Sequence, residues 1–542
     1  MERRSFLAGV LPAALAGAPA QGTRPNVLLV MMDDFGVGQF APLARRLGTK
    51  DLDPLFVDFV RRRGLAYSPG EAIDMAGRAM PCLSELARGG AVFSNAFSPG
   101  NLCSPARAGT LMGRMQIRDG LYQNTDVERT GVTRGRVLAA RLQKAGYATG
   151  FIGKWHAGRR DESLREGVMK KSGLTPQQRE AEIRKTGYLG AVAPGHHPLN
   201  NGFDYYFGYN RWECPFYNSE HIWENWTYAG LQERYNTELF TAKALDFING
   251  ARKRGKPFFA ELAFHAVHGP LKPQAPDQYF RKFSSKCYQL SNFYAHVNAV
   301  DEAVAAIRAA LGAEWRNTLF LFCADNGAPS GGETPLPGNA PYAGHKGMFA
   351  QGGFRIPMLA HWPAGLPPGG EARKEIVSLL DLMPTALDAA GVPAPGDLDG
   401  RSLLPLLRGQ AKSVHEHLLW AGIHARAWGF RGETVIGGDA QGRREESPGA
   451  WVATDGRYLL RFVTTTPAGL FQDQPGGAPP HYELYDVLED PGETRDLYRQ
   501  VPQVARRLQE AYFSQAKEFP PPTAWRRDRW QEMVPPDNIH LK

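Results

Sequence analysis

The sequence predicts an α/β fold: a large, mostly parallel sheet sandwiched by helices, followed by a smaller C-terminal α+β domain built on a short antiparallel sheet. Three observations carry this expectation. Apolar runs that end in polar or glycine-rich junctions recur at 27–32, 147–152, 258–264 and 318–323, as strands buried on both faces do. Between them lie stretches with helical spacing at 135–145 and 293–311, the latter through Val297, Val300, Val304, Ile307 and Leu311. Beyond the Pro- and Gly-rich stretches at 365–370 and 391–400 the pattern changes to short strands at 451–453, 458–463 and 482–485, with a helix at 504–517.

Taken in order, residues 1–20 read as an export signal. Arg3 and Arg4 precede an apolar stretch at 6–16, and Ala18-Pro19-Ala20 makes a small-residue cleavage site. Arg3-Arg4-Ser5-Phe6-Leu7 resembles the core of a twin-arginine signal, so a periplasmic or secreted product is expected. A chain of 542 residues with 43% hydrophobic content exceeds one ordinary core. We therefore expect an N-terminal domain over 21–415 and a smaller one over 416–542. No later stretch offers the roughly 18 consecutive apolar residues of a membrane span. The five cysteines are too scattered for a disulfide framework or a zinc site. The net charge of +8 suits an anionic substrate, yet no nucleic-acid-binding module is present, and oligomeric state is left open. Polar segments at 40–76, 159–196 and 424–450 read as insertions on the surface or around the pocket.

Residues able to do chemistry cluster at the predicted strand ends. Asp33-Asp34 follows the first strand and Asp325-Asn326 a much later one, and such hard oxygen donors suit calcium, with magnesium second. Gly153-Lys154-Trp155-His156 and His265-Ala266-Val267-His268 follow two others, with cations able to hold a tetrahedral oxyanion and move protons. Lys346 lies in a glycine-rich loop, Gly344-His345-Lys346-Gly347. In Cys103-Ser104-Pro105-Ala106-Arg107 the proline puts Cys103 at a helix N-terminus, where free backbone N–H groups attract an anion. Read singly, each of these equally fits a turn, a cap or a structural cysteine. In a doubly wound sheet the carboxyl ends of the strands form one ligand crevice, which brings the pairs together.

These motifs, in this order, resemble the type I sulfatases of the alkaline phosphatase superfamily over nearly all of 24–517. Pro25-Asn26-Val27-Leu28 leading to Asp33-Asp34-Phe35-Gly36 carries the likeness, as do the Cys103 to Arg114 signature, Gly153-Lys154-Trp155-His156 and Asp325-Asn326-Gly327. Asn201-Gly202-Phe203-Asp204, Asp381-Leu382-Met383-Pro384-Thr385 and Asp399-Gly400-Arg401-Ser402-Leu403 agree as well. The resemblance implies that Cys103 is oxidised to formylglycine (3-oxoalanine) by a formylglycine-generating enzyme. Its hydrate would attack the sulfur of a sulfate ester. Asp33, Asp34, Asp325, Asn326 and the modified Cys103 would bind Ca2+. Arg107 and Lys154 would hold the hydrate, His156 would deprotonate it, and Lys346 with His268 would bind sulfate and aid the leaving group. His268 is preferred to His265 because His268-Gly269-Pro270 matches the family's His-x-Pro. The substrate would be a sulfated carbohydrate or an aryl sulfate. A phosphodiesterase or phosphonate monoester hydrolase of the same superfamily, or an inactive glycan-binding relative, are the alternatives. The aromatic stretch 210–226 (Trp212, Phe216, Tyr217, Trp223, Trp226) fits a sugar-stacking wall and core packing equally well.

Overall fold

The computed structural model describes residues 24–329, 334–370, 372–423, 449–463, 481–520 and 523. The expected export signal and residues 424–448 of the third insertion lie outside the described residues. Among the described residues no helix is long and apolar enough to cross a membrane.

A ten-stranded sheet dominates the molecule. Across it run Ala372–Arg373, Ala91–Phe93, Met358–His361, Thr318–Ala324, Asn26–Met32, Phe258–Ala263, Ala148–Lys154, Tyr205–Tyr209, Trp223–Glu224 and Thr227–Tyr228. The five strands from Thr318–Ala324 to Tyr205–Tyr209 are parallel, while Met358–His361 and the Trp223–Glu224 hairpin pair antiparallel at the two sides. The four apolar runs expected as strands are thus the adjacent centre of the sheet. Both faces of that centre are covered, which is why its sequences show no polar alternation: Val27, Leu28, Val30 and Met32 are fully buried. Helices Leu138–Lys144 and Tyr288–Leu311 correspond to the two helical stretches expected between strands, and Asn236–Lys253 adds a third ahead of strand Phe258–Ala263.

Two glycines let the sheet close where the chemistry is expected. Gly153 has φ 111°, and a Cβ there would stand 1.9 Å from the carbonyl oxygen of Ala263 on the next strand. Gly208 would meet Gly153 O at the same distance. Only hydrogen fits between these backbones, so the strand that delivers Lys154 packs directly against its neighbours.

A separate four-stranded antiparallel sheet follows, in the order Leu418–Ile423, Gly449–Thr454, Tyr458–Val463, His481–Asp486. Its first strand was not anticipated, because Leu418–Ile423 carries no turn or alternation signal that separates it from the preceding loop. Helix Pro502–Ala516 packs on this sheet through Tyr512, whose ring stacks on Trp451 at 4.0 Å. The small sheet also packs against segments that flank the large one. Trp420 stacks on Phe354 at 4.3 Å and donates its indole N–H to Ser98 O at 2.7 Å.

Candidate active site

Register decides which side chains meet. Met32 pairs with Ala324 and Met31 with both Cys323 and Ala263, while Gly153 pairs with Ala263. Parallel neighbours lie about 4.8 Å apart, so Asp33, Asp325, Lys154 and the 264–268 segment leave the sheet side by side at one edge. Backbone bonds continue past the strands and hold them there. Asp33 N–H donates to Ala266 O at 3.0 Å, Val267 N–H to Asp33 O at 2.8 Å, and Asp325 N–H to Met32 O at 3.0 Å.

The helix Cys103–Met112 points its first turn at this edge, and every residue in it is buried. Leu102 at its N-cap offers no side-chain acceptor, Pro105 has no N–H to satisfy, and Ser104 N–H goes to Asn124 Oδ1 at 3.2 Å. The helix stops at Gly113, in the left-handed conformation with φ 61°. Ser104 Oγ donates to His156 O at 2.5 Å, tying this helix to the end of the Lys154 strand. Asp34 and His156 themselves adopt positive φ, 58° and 42°, which non-glycine residues rarely do. Asp34 is held there by its N–H bond to Asp325 Oδ1 at 3.2 Å.

Around Cys103 the carboxylates and cations interlock. Its Sγ lies 3.6 Å from Asp33 Oδ1 and 3.9 Å from Asp34 Oδ1. Lys154 Nζ bonds Asp33 Oδ2, and Lys346 Nζ bonds Asp34 at 2.6 Å and 2.9 Å to its two oxygens. Arg107 binds Asp325 Oδ2 through Nε at 2.9 Å and donates from Nη1 to Lys154 O at 2.9 Å. Asn326 Nδ2 donates to Asp34 Oδ1 at 2.8 Å, and its Oδ1 is buried without a hydrogen-bond partner. Ligand atoms of Asp33, Asp34, Cys103 and His268 all lie within 4.8 Å of one another. Asp325 is placed differently from the other carboxylates: its Oδ1 accepts from the N–H groups of Asp34 and Asn326, and its Oδ2 from Arg107.

These neighbours set the charge states. Burial by itself would raise the Asp34 carboxyl, but Lys346, His268 and Lys154 outweigh it and hold the group well below the ordinary carboxylate range. Burial pushes the Cys103 thiol up to about 12, with Lys154 and Lys346 offsetting only part of the effect. An unmodified thiol here is protonated at neutral pH and a poor nucleophile. Burial, then Lys154 and Arg107, hold His156 neutral, so its imidazole is able to accept a proton.

The two candidate histidines separate. His268 Nε2 stands 3.7 Å from Asp34 Oδ2 and its Nδ1 contacts Gly269 O at 2.7 Å. His265 is buried behind it with Nδ1 3.0 Å from the Tyr209 hydroxyl and its ring 5.4 Å from that of His268. The aromatic stretch separates likewise. Phe216 packs on His296 at 4.2 Å, Tyr217 on Tyr235 at 5.3 Å, Trp223 on Tyr228 at 5.9 Å, and Trp226 stacks on His197 at 3.9 Å. Trp212 alone of the five reaches the cluster, and by its backbone: its carbonyl accepts from Lys154 Nζ at 2.6 Å, with the side chain partly exposed. That carbonyl and Glu128, 3.6 Å from His156 Nε2, escaped sequence reasoning because neither belongs to a motif and both are brought in by tertiary contact alone.

Carboxylates and cations on the strand ends of a helix-flanked sheet, facing a residue at a helix N-terminus, define an anion-ester hydrolase of the alkaline phosphatase-like architecture. Residues 25–392 match the family model for Sulfatase. The chain is 31% identical over 403 residues to the uncharacterized sulfatase YdeN of Escherichia coli (strain K12), covering 73% of this chain and 68% of that protein. It is 28% identical to arylsulfatase A of Bos taurus, covering 91% and 87%. The crystal structure of Ps i-CgsB in complex with k-i-k-neocarrahexaose superposes with a TM-score of 0.66 at 21% identity, over 95% of this chain and 98% of that one. The chain belongs to the sulfatase family and is a sulfuric ester hydrolase.

Proposed function

We propose that the enzyme hydrolyses a sulfate ester of a carbohydrate or aryl alcohol through a formylglycine formed from Cys103, assisted by a bound divalent cation. The observation that carries this reading is the Cys103 Sγ at the helix start, 3.6 Å and 3.9 Å from Asp33 and Asp34 and ringed by Lys154, Lys346 and Arg107. Formylglycine, as its hydrate, supplies a hydroxyl nucleophile where a buried thiol is inert. Calcium, with magnesium the alternative, supplies charge that polarises the ester and would be held by Asp33, Asp34, Asp325, Asn326 and residue 103. The donor set suits it: carboxylate oxygens converge, and the Asn326 Oδ1 is buried without a partner.

The chain's own residues divide the remaining work. Arg107, anchored on Asp325, and Lys154, anchored on Asp33 and Trp212 O, fix position 103. Neutral His156 takes its proton. Lys346 binds sulfate oxygens, and His268 assists the departing alcohol. Oxidation of Cys103 by a formylglycine-generating enzyme precedes twin-arginine export of the folded protein. The catalytic domain extends to 410–420, where the small antiparallel sheet begins. The names of related proteins, arylsulfatase A and N-acetylgalactosamine-6-sulfatase, support aryl and sugar sulfates as substrates.

Mass spectrometry of the tryptic peptide 89–107 from natively expressed protein tests the nucleophile, with formylglycine expected at residue 103 and an unmodified thiol throughout sinking the mechanism. Parallel assays on an aryl sulfate and a bis-aryl phosphate test the reaction. Sulfate release that is lost in Cys103→Ala and after chelation, and restored by Ca2+, is expected; preference for the phosphate ester overturns the reading.

A further inference from the structure

Lys154 ends a strand and Arg107 lies on a helix, whereas Lys346 sits in a loop rich in glycine. A loop has no ladder of its own, so its shape is set by what touches it. Residues 343–353 close on themselves backbone to backbone. Gly352 N–H donates to Ala343 O at 2.7 Å, and a Cβ on Gly352 or Gly353 would stand 2.2 Å from Gly344 O or 2.1 Å from Met348 O. The tip is tied to the segments that carry Asn326 and Cys103. Lys346 N–H donates to Ala328 O at 3.1 Å and Gly347 N–H to Asn101 O at 2.8 Å.

Both arms of this loop are held from the C-terminal sheet and the turn that follows it. Three residues before Lys346, Ala343 N–H donates to Pro491 O at 3.0 Å. Three residues after it, Phe349 O accepts from Arg461 Nη1 at 2.9 Å. Gln351 N–H then donates to Glu493 Oε1 at 2.8 Å, while Glu493 Oε2 lies 2.8 Å from the same Arg461 Nη1. Pro491 and Glu493 belong to one turn, Asp490-Pro491-Gly492-Glu493, closed by Glu493 N–H on Asp490 O at 3.0 Å. That turn therefore reaches one arm with a carbonyl and the other with a carboxylate. Glu493 is 2% exposed and adopts φ 50°, a conformation that a non-glycine residue keeps only when its surroundings enforce it.

We propose that Glu493, backed by Arg461, is a positioning residue for the reaction: it fixes the arm that sets Lys346 Nζ on Asp34 and on the sulfate oxygens of the substrate. The inference rests on the reading of Lys346 as a sulfate ligand and deepens it, because the C-terminal sheet becomes a working part of the active site. Glu493 acts through the loop backbone. A lysine ammonium on a long flexible stem reaches one place only if its root is fixed, and Lys346 Nζ lies 2.6 Å from Asp34 Oδ1.

The test is a double-mutant cycle. Glu493→Asp keeps the charge that Arg461 needs but withdraws the oxygen from Gln351, and Glu493→Gln keeps the reach but removes the charge. Each is combined with Lys346→Ala. Two quantities are read per folded molecule: kcat/KM for an aryl sulfate, and the calorimetric Kd of inorganic sulfate in buffer containing Ca2+. With Lys346 present, Glu493→Asp should lower kcat/KM by about tenfold or more and weaken sulfate binding in the same sense, within the roughly hundredfold that a displacement of about 1 Å costs. With Lys346 already alanine, the same change should move either quantity by less than about twofold, because the side chain through which it acts is gone. A general folding role would lower both backgrounds equally. Such coupling in at least one of the two Glu493 variants is the expected result, so a folding defect in one leaves the other decisive. Its absence from both, or a parent that binds no inorganic sulfate, overturns the proposal. If the parent releases no sulfate from the ester, the sulfatase reading fails, while the binding cycle still judges Glu493.

Discussion

Arg461→Met should destabilise the enzyme strongly, and by an amount that depends on pH. Arg461 is fully buried on the strand Tyr458–Val463. Its Nη2 meets Glu483 at 2.5 Å, and its Nη1 meets Glu493 at 2.8 Å and Phe349 O at 2.9 Å. Glu493 in turn accepts the N–H of Gln351 at 2.8 Å, and Pro491 O that of Ala343 at 3.0 Å, so this ion cluster clamps the loop that carries Lys346. Removing one member of a buried pair costs about 3–5 kcal/mol, and here two carboxylates lose their cation, which places the loss at the upper end. In the parent, burial would raise Glu483 but Arg461 outweighs it and holds the carboxyl well below the ordinary range. That contribution is present above the unfolded carboxyl pKa of about 4.3 and fades as pH falls through it. Glu493 differs from Glu483 in that burial outweighs Arg461 and raises its carboxyl already in the parent; in the variant, unopposed burial raises it further and lifts Glu483 as well, so the native state binds more extra protons at mildly acid pH. Its stability is then lost as pH rises through that window. Urea titrations at pH 8 and pH 5 should show a penalty that is larger at pH 8. A loss under about 1 kcal/mol, or a penalty equal at both pH values, would refute the reasoning.

Gly153→Ala should prevent folding or cost more than about 4 kcal/mol, because φ 111° and a Cβ 1.9 Å from Ala263 O leave no relaxed solution; a thermal melt near that of the parent would contradict this. Asp301→Ala should cost about 1–2 kcal/mol, since its carboxylate caps helix Pro81–Gly89 through the N–H groups of Cys82 and Leu83 at 2.9 Å and 2.8 Å, and Met80 at the N-cap supplies no acceptor. Asp301→Asn should recover part of that in the same denaturation assay, and equal loss in both would exclude a capping role. Trp212→Ala keeps the carbonyl that binds Lys154 and removes the ring, so KM for a sugar sulfate should rise by the several-fold that about 0.5–1.5 kcal/mol of aromatic contact represents. Trp226→Ala, whose ring is occupied by His197, should leave KM at the parent value; the reverse order would move the sugar-stacking surface away from Trp212.

Much of the fold was legible because buried parallel strands write themselves as unbroken apolar runs. The strands Asn26–Met32, Ala148–Lys154, Phe258–Ala263 and Thr318–Ala324 fall within about two residues of expectation. Short strands outside the parallel centre were not legible. Tyr205–Tyr209, Trp223–Glu224 and Met358–His361 have too few residues to show a period, and they form because a neighbouring strand presents open backbone groups.

The same division runs through the site. Residue chemistry and order marked Cys103, the Asp33-Asp34 and Asp325-Asn326 pairs, Lys154, His156 and Lys346 as candidates, since strand ends, a proline-started helix and a glycine-rich loop are local features, while the resemblance to type I sulfatases added the roles, Arg107 included, and the choice of His268 over His265. Which of them touch was decided only by the parallel register, which sets Asp33 beside Asp325, and by the loop packing that brings Lys346 onto Asp34. Tertiary contact also separated His268 from His265 and reduced five candidate aromatics to Trp212. Local sequence encodes what each segment can do, whereas contacts between residues a hundred or more apart depend on the whole chain's burial, which no single window contains.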